Sequence, residues 1–167
     1  NRIESNRLVL APSAFWMGNL VKKIVADNAL FANASHITID LEEKKNTPPV
    51  YADEHHIRWA VENLLTNAIR YGSPRTSIAV RINKEKTNVR VDITNHGSPI
   101  LRSDAARIFE KFFRANNAQQ KHVNGAGLGL FIAKAVVEAS GGAIGFVSEQ
   151  SGETTFWFTL PRAKKNV

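Results

Sequence analysis

Apolar and polar residues alternate along this chain in two different periods, and the switches between them mark its elements. From Pro12 onward Phe15, Leu20, Ile24, Val25 and Leu30 recur at helical spacing, with Ser13 as the predicted N-cap. Residues 36–41 alternate with period two, so Ile37, Ile39 and Leu41 share one strand face. Asn46, Thr47, Pro48 and Pro49 break the chain. Asp53 is predicted to cap a second helix that runs to about Tyr71, where Gly72, Ser73 and Pro74 stop it. Two strands over 77–83 and 88–95 read as a hairpin joined by the polar residues 84–87. Ser103 opens a short predicted helix carrying Ile108, Phe109, Phe112 and Phe113, and the aperiodic, polar residues 115–124 read as a loop. A last helix is expected over 127–140, ended by Gly141 and Gly142 where a left-handed backbone is wanted. Residues 144–148 and 154–160 form a closing hairpin, and Pro161 begins a short basic tail. The pattern predicts an α+β two-layer sandwich: a mixed, mostly antiparallel sheet with helices on one face.

Composition narrows this to one unit. A chain of 167 residues, 43% hydrophobic and 22% charged, suits a single globular core. One domain is expected over 8–161, with 1–7 as the end of an upstream helix or linker and 162–167 as the basic tail. The absence of cysteine excludes a disulfide framework and a thiolate metal site. No apolar run is long enough to span a bilayer. The chain opens on Asn1 rather than Met and is expected to be a piece of a longer protein. A net charge of +7 favours an anionic partner. The basic residues are scattered and not interleaved with aromatics, which argues against nucleic acid.

Three segments then carry chemistry. On the helix ending at Tyr71, Ile57, Ala60, Val61, Leu64, Leu65 and Ala68 form an apolar stripe at ~100° per residue. Asn63, Asn67 and Arg70 fall within a neighbouring arc of ~60°, and Tyr71 lies between the two stripes. Asn is a poor helix former for a solvated face. An Asn carbonyl can serve a hard cation such as Mg2+, and Arg70 can meet phosphate, although an ordinary polar surface stripe accounts for the pattern equally well. Glu62 points ~140° away from Asn67 and reads as a solvated carboxylate.

In the strand over 88–95, Val89, Val91 and Ile93 alternate inward and Asn95 continues that parity. A polar residue in a core-facing phase needs a partner. Asn95 can accept from an exocyclic amine such as that of adenine, or cap its own turn; Gly97 allows close approach to a flat ligand. Finally, Gly125, Gly127 and Gly129 stand at alternate positions before a helix, where backbone N–H groups can turn toward phosphates. The polar loop before them excludes a dinucleotide fingerprint, and no Gly-Lys-Ser/Thr triplet exists for a P-loop.

Taken in order, these segments resemble the catalytic ATP-binding domain of sensor histidine kinases, with its Bergerat-type fold. Residues 63–71 look like its N box, 95–100 like its first glycine box, 108–114 like its F box and 125–134 like its second glycine box. The resemblance implies that Asn67 coordinates Mg2+, that Asn63 orients phosphate or metal water, and that Arg70 and Arg114 approach phosphate. It implies Tyr71 beside base or ribose, and Asn95, Gly97 and Ile100 around the adenine. Gly125, Gly127, Leu128, Gly129 and Leu130 would cradle the phosphates, under a lid over 115–124. Phe109, Phe112 and Phe113 are expected to anchor that lid from the core, and Thr154 is a further candidate near the adenine. Two departures stand out, Asn95 where the family carries Asp and Pro99 where it carries a second Gly; Glu153, where a small residue is common, is a minor one.

Related ATPases place a Glu at the position of Asn63 to activate water; Asn cannot act as a base, so the site is expected to retain ATP for transfer. The activity implied is donation of the γ-phosphoryl group to a histidine on a separate dimerisation and phosphoacceptor domain. His36, His55, His56, His96 and His122 are expected to be structural or solvated, with His122 within reach of phosphate. The expected parent is a membrane-anchored homodimer at the inner or plasma membrane, with this domain cytoplasmic, monomeric when isolated, and a response regulator downstream. A non-catalytic nucleotide-sensing or partner-binding module, and a serine kinase of anti-sigma-factor type, remain alternatives on the same fold.

Overall fold

The computed structural model describes residues 8–115 and 127–164. Its centre is a five-stranded sheet made of β2 (Thr38–Glu43), β4 (Ser77–Lys84), β5 (Asn88–His96), β6 (Ile144–Ser148) and β7 (Glu153–Pro161). The strand order is β2-β4-β5-β7-β6. β2 runs parallel to β4, and the other pairs are antiparallel, so the sheet is mixed and mostly antiparallel as its sequence predicts.

Strict alternation decides which face of the sheet is covered. Val89, Val91, Ile93 and Asn95 of β5 are buried, and so are Ile78, Val80 and Ile82 of β4. On this face lie α1 (Met17–Asp27), α3 (Glu54–Tyr71) and α5 (Gly129–Ala139). The stripe foreseen on α3 is buried throughout: Ile57, Ala60, Val61, Leu64, Leu65 and Ala68 all join the core. The opposite parity carries polar pairs instead. Arg81 bridges Asp40 at 2.8 Å, Arg90 meets Asp92 at 2.9 Å, and the Thr94 and Thr155 hydroxyls lie 2.7 Å apart.

The entry to α3 is strongly defined. Asp53 takes the N-cap position, its carboxylate accepting from His56 N–H at 3.1 Å and from Ala11 N–H at 2.8 Å. The Ala11 bond is the main reason its pKa falls from 3.8 to about 2; burial opposes the shift and His56 supports it.

Four expectations are corrected. Ser13 does not cap a helix but opens β1 (Ser13–Phe15), which pairs with β3 (Val50–Ala52) in a two-stranded ribbon. That ribbon is too short for its periodicity to register in sequence, and it buries Phe15 and Val50. The first helix ends at Asp27, because Asn28 turns back to give its side-chain N–H to Ile24 O at 2.8 Å. A separate α2 (Ala29–Ala34) follows, and Leu30, predicted to face the core, is 85% exposed. The segment after Ser103 is helical only over α4 (Arg102–Ala105), and Ile108, Phe109, Phe112 and Phe113 lie in the turns beyond it. Phe112 adopts a φ of 66° and is 64% exposed, so it is not a core residue. The first residues of the expected tail are paired: Arg162 bridges Val50, and Ala163 N–H donates to Pro49 O at 2.8 Å. Residues 1–7, the greater part of the expected lid (116–124) with His122, Gly125, and the tail end 165–167 lie outside the described residues.

Candidate functional site

A cavity of about 410 Å³ opens where the C-terminal half of α3, the ends of β5 and β7, the turns after α4 and the start of α5 meet. Each wall follows from a local feature of the sequence. The polar arc of α3 supplies Asn63, Asn67 and Arg70, which the helical period turns away from the core and toward α5. Asn63 anchors its amide by donating from Nδ2 to Trp59 O at 2.8 Å, which directs its Oδ1 toward Gly129. A Cβ on Gly129 would stand 2.6 Å from that oxygen, so the glycine is what admits Asn63 to the mouth of α5. Arg70 donates from Nη1 to Asn67 Oδ1 at 3.3 Å, placing a fixed cation beside the second amide.

At the other end of α3 the chain meets the sheet. Gly72 and Gly97 form an isolated bridge, which places the end of β5 against the end of α3. A Cβ at Gly97 would run into the carbonyl oxygen of Tyr71, and Gly97 does not line the cavity. Its lack of a side chain therefore admits the protein's own backbone rather than a flat ligand. Asn95 and Thr154 pair across β5 and β7 and both face the cavity from its floor. Asn95 is only 6% exposed, and among the described residues its side-chain amide has no hydrogen-bond partner. The turn-capping alternative is thereby removed. Thr154 has one: its hydroxyl lies 2.7 Å from Ser148 Oγ, which also accepts from Ile100 N–H at 2.9 Å.

Tyr71, Ile100, Ile108, Phe113 and Phe156 line the cavity and belong to a second, smaller apolar cluster. Phe109 sits behind them, 6.2 Å from Phe156 and 6.1 Å from Phe146 between ring centres. Arg114, Gly127, Leu128, Gly129 and Leu130 complete the rim. Phe112, outside the cluster, gives its N–H to Gly127 O at 3.0 Å and so ties the turns to the start of α5.

The structure therefore brings Asn63, Asn67, Arg70, Tyr71, Asn95, Ile100, Arg114, Gly127, Leu128, Gly129, Leu130 and Thr154 to one cavity, and leaves Gly97 behind it. Gly125 lies outside the described residues. Sequence reading missed Trp59, Ala68, Ser98, Ile108 and Phe156 as wall residues, and Phe113, expected to anchor the lid from the core, lines the cavity as well. Trp59 carried a signal: it stands four residues before Asn63, on the same polar arc, where a large aromatic is out of place. Glu62 is turned away and paired with Arg58 at 3.2 Å, and Glu153 meets His96 at 3.2 Å, both outside the cavity. No carboxylate lines the cavity among the described residues, while two arginines do. The described lining is thus cationic and neutral, which suits anionic groups, and offers no carboxylate base.

Residues 52–164 match the family described as histidine kinase-, DNA gyrase B-, and HSP90-like ATPase. The chain is 33% identical over 153 residues to the heme sensor protein HssS of Staphylococcus saprophyticus, covering 90% of this chain and 32% of that protein. It is 30% identical over 162 residues to the sensor histidine kinase GlrK of Escherichia coli, covering 97% of this chain and 32% of that one. It thus spans about a third of the length of these curated relatives. Among solved structures, the nucleotide-free catalytic domain of the histidine kinase ThkA superposes with a TM-score of 0.80 at 24% identity, covering 92% of this chain and 99% of that domain. Full-length ShkA in complex with AMPPNP superposes with a TM-score of 0.84 at 24% identity, covering 99% of this chain and 34% of that one. On these matches, the chain belongs to the histidine kinase-, DNA gyrase B-, and HSP90-like ATPase family, among relatives that are sensor histidine kinases.

Proposed function

We propose that this chain binds ATP with Mg2+ and donates the γ-phosphoryl group to a histidine on a separate dimerisation and phosphoacceptor domain. The observation that carries the reading is the meeting, in one cavity, of the Asn63 and Asn67 amides, two arginines and the start of α5, with no carboxylate among them. The N-terminus of α5 leaves backbone N–H groups unpaired within α5 and adds a favourable dipole for phosphate oxygens. Arg70 and Arg114 add charge at the same rim. The apolar wall of Ile100, Phe113 and Phe156 suits the flat face of a base, and Asn95 suits its polar edge.

The residues present fit Mg2+. Among the described residues no group of three or more His, Cys, Asp or Glu is assembled for a metal. Mg2+ takes one or two protein oxygens and keeps phosphate and water for the rest, so Asn67 Oδ1 would hold it, with Asn63 orienting a metal-bound water. When bound, the ion neutralises charge developing on the transferred phosphoryl group. The described side chains around it bind and orient, and none of them is a base able to abstract a proton from water, so ATP persists until an acceptor nitrogen is presented in line. The parent protein we infer is a membrane-anchored homodimer, with this domain on the cytoplasmic side and a response regulator receiving the phosphoryl group afterwards. What supports this is that the relatives include sensor histidine kinases.

Incubating the chain with γ-labelled ATP, Mg2+ and the parent's acceptor domain should yield an acid-labile, base-stable phosphohistidine. Nucleotide binding without transfer would overturn the kinase reading and leave the binding module, which the Asn95 and Pro99 departures favour. An acid-stable label on a protein would instead indicate a serine kinase. Asn67→Ala should weaken ATP binding about tenfold with Mg2+ and leave it nearly unchanged without the ion, by calorimetry.

A further inference from the structure

The floor of the cavity differs from its rim in one chemical respect: every polar side chain there can reverse its hydrogen-bond polarity. Asn95 carries a carbonyl and an amino group on one planar amide, and a half-turn about its last torsion exchanges them. Thr154 and Ser148 are hydroxyls 2.7 Å apart, with either able to donate. Ser148 Oγ accepts from Ile100 N–H at 2.9 Å, which leaves its own hydroxyl proton free to turn toward Thr154 or away. No acidic side chain among the described residues fixes the direction of this chain of bonds.

Asn95 is the member of the set that awaits a partner. It is buried, faces the cavity from a strand end, and makes no side-chain hydrogen bond among the described residues. Its amide opens on the cavity, where water or a ligand can pair with it. Its place in the cavity also decides which part of a nucleotide it meets. Asn63 stands at the mouth of α5, whereas Tyr71 abuts the strand end two residues beyond Asn95. Eight residues of helix separate Asn63 from Tyr71, or ~12 Å, which places the floor well away from the phosphate end.

Resting on the nucleotide reading above, we propose that Asn95 reads the six-position of a purine without fixed polarity, so this pocket takes 6-oxopurine nucleoside triphosphates as well as ATP. In one orientation the Asn95 oxygen accepts from a 6-amino group while its NH2 donates to ring N1. In the other, its NH2 donates to a 6-oxo oxygen while its oxygen accepts from N1–H. Both pairings are bidentate and leave no buried group unmatched. Thr154 turns its hydroxyl to suit either edge. The Ile100 and Phe156 walls see the same aromatic faces in both bases. A carboxylate in place of the amide would accept only. It would keep one contact with either base, the 6-amino group or N1–H, and set two acceptors against each other at the neighbouring position.

The test is calorimetric titration of the full chain with ATP and with ITP, each with Mg2+, beside Asn95→Asp. The unsubstituted chain should bind ITP within about fivefold of ATP, and Asn95→Asp should weaken both nucleotides by about tenfold, since each loses one of its two bonds. ATP bound with ITP weaker by about a hundredfold would overturn the proposal while leaving the ATP site intact. So would Asn95→Asp leaving both affinities unchanged. Should the variant fail to fold, as read by thermal melting, the ratio in the unsubstituted chain decides alone. If neither nucleotide binds, the nucleotide reading itself falls, and the proposal with it.

Discussion

The molecule has two apolar clusters, and they are built differently. The larger lies between the sheet and α1, α3 and α5, and its members come from regular elements whose side chains recur every two or every 3.6 residues. The smaller lies under the cavity and is centred on Ile108 and Ala115, with Tyr71, Ile100, Phe109, Phe113, Phe146 and Phe156 around it at partial exposure. Four of its members come from irregular chain between α4 and α5, and Phe112 in that stretch takes a positive φ. Burial supports the whole fold in the first case. In the second it supports one wall of the site, so the two should respond differently to the same kind of damage.

Leu64→Ala should produce the largest effect. The side chain is 1% exposed in the main core, and its loss should cost about 3 kcal/mol, read as a lowered midpoint in urea. Phe109→Ala should cost about 1–2 kcal/mol, because the ring is only partly buried, yet weaken nucleotide binding several-fold by loosening the wall at Phe156. Equal destabilisation by the two substitutions would show that the clusters melt as one unit and break the contrast.

Asp53→Ala should have the smallest effect on the site, leaving nucleotide affinity unchanged, and cost about 1–2 kcal/mol of stability from the lost cap of α3 and the unpaired Ala11 N–H. Its pH dependence sharpens the point. The folded-state pKa is depressed from 3.8 to about 2, so the stabilisation is fully present above about pH 4 and is lost as pH falls toward 2. Thermal melts of the unsubstituted chain should therefore decline across that window more steeply than those of Asp53→Ala.

Most of the body was legible. The stripe on α3 and the alternation in β5 are long enough for the period to be unambiguous, and every residue assigned to them is buried. The ribbon of β1 and β3 was not legible, since three residues per strand contain too little alternation to distinguish from a loop or a helix start. The break at Asn28 escaped for a related reason: apolar spacing continues through Leu30, and only the side-chain bond to Ile24 O ends α1. The candidate site was mixed. Asn63, Asn67 and Arg70 stood out as amides and an arginine on a helix arc, whereas Phe156 and Ser98 had no local peculiarity to announce them.

By itself the sequence determined which residues turn inward on α3 and β5, where the polar arc of α3 lies, and that the net charge favours an anion. Those are local properties, set by backbone period and side-chain chemistry. Only the tertiary structure decided that Asn95 faces a cavity without a partner, that Gly97 yields to Tyr71 and Gly129 to Asn63. Each of these depends on where a distant strand or helix end comes to rest, and that position is the outcome of packing the whole core.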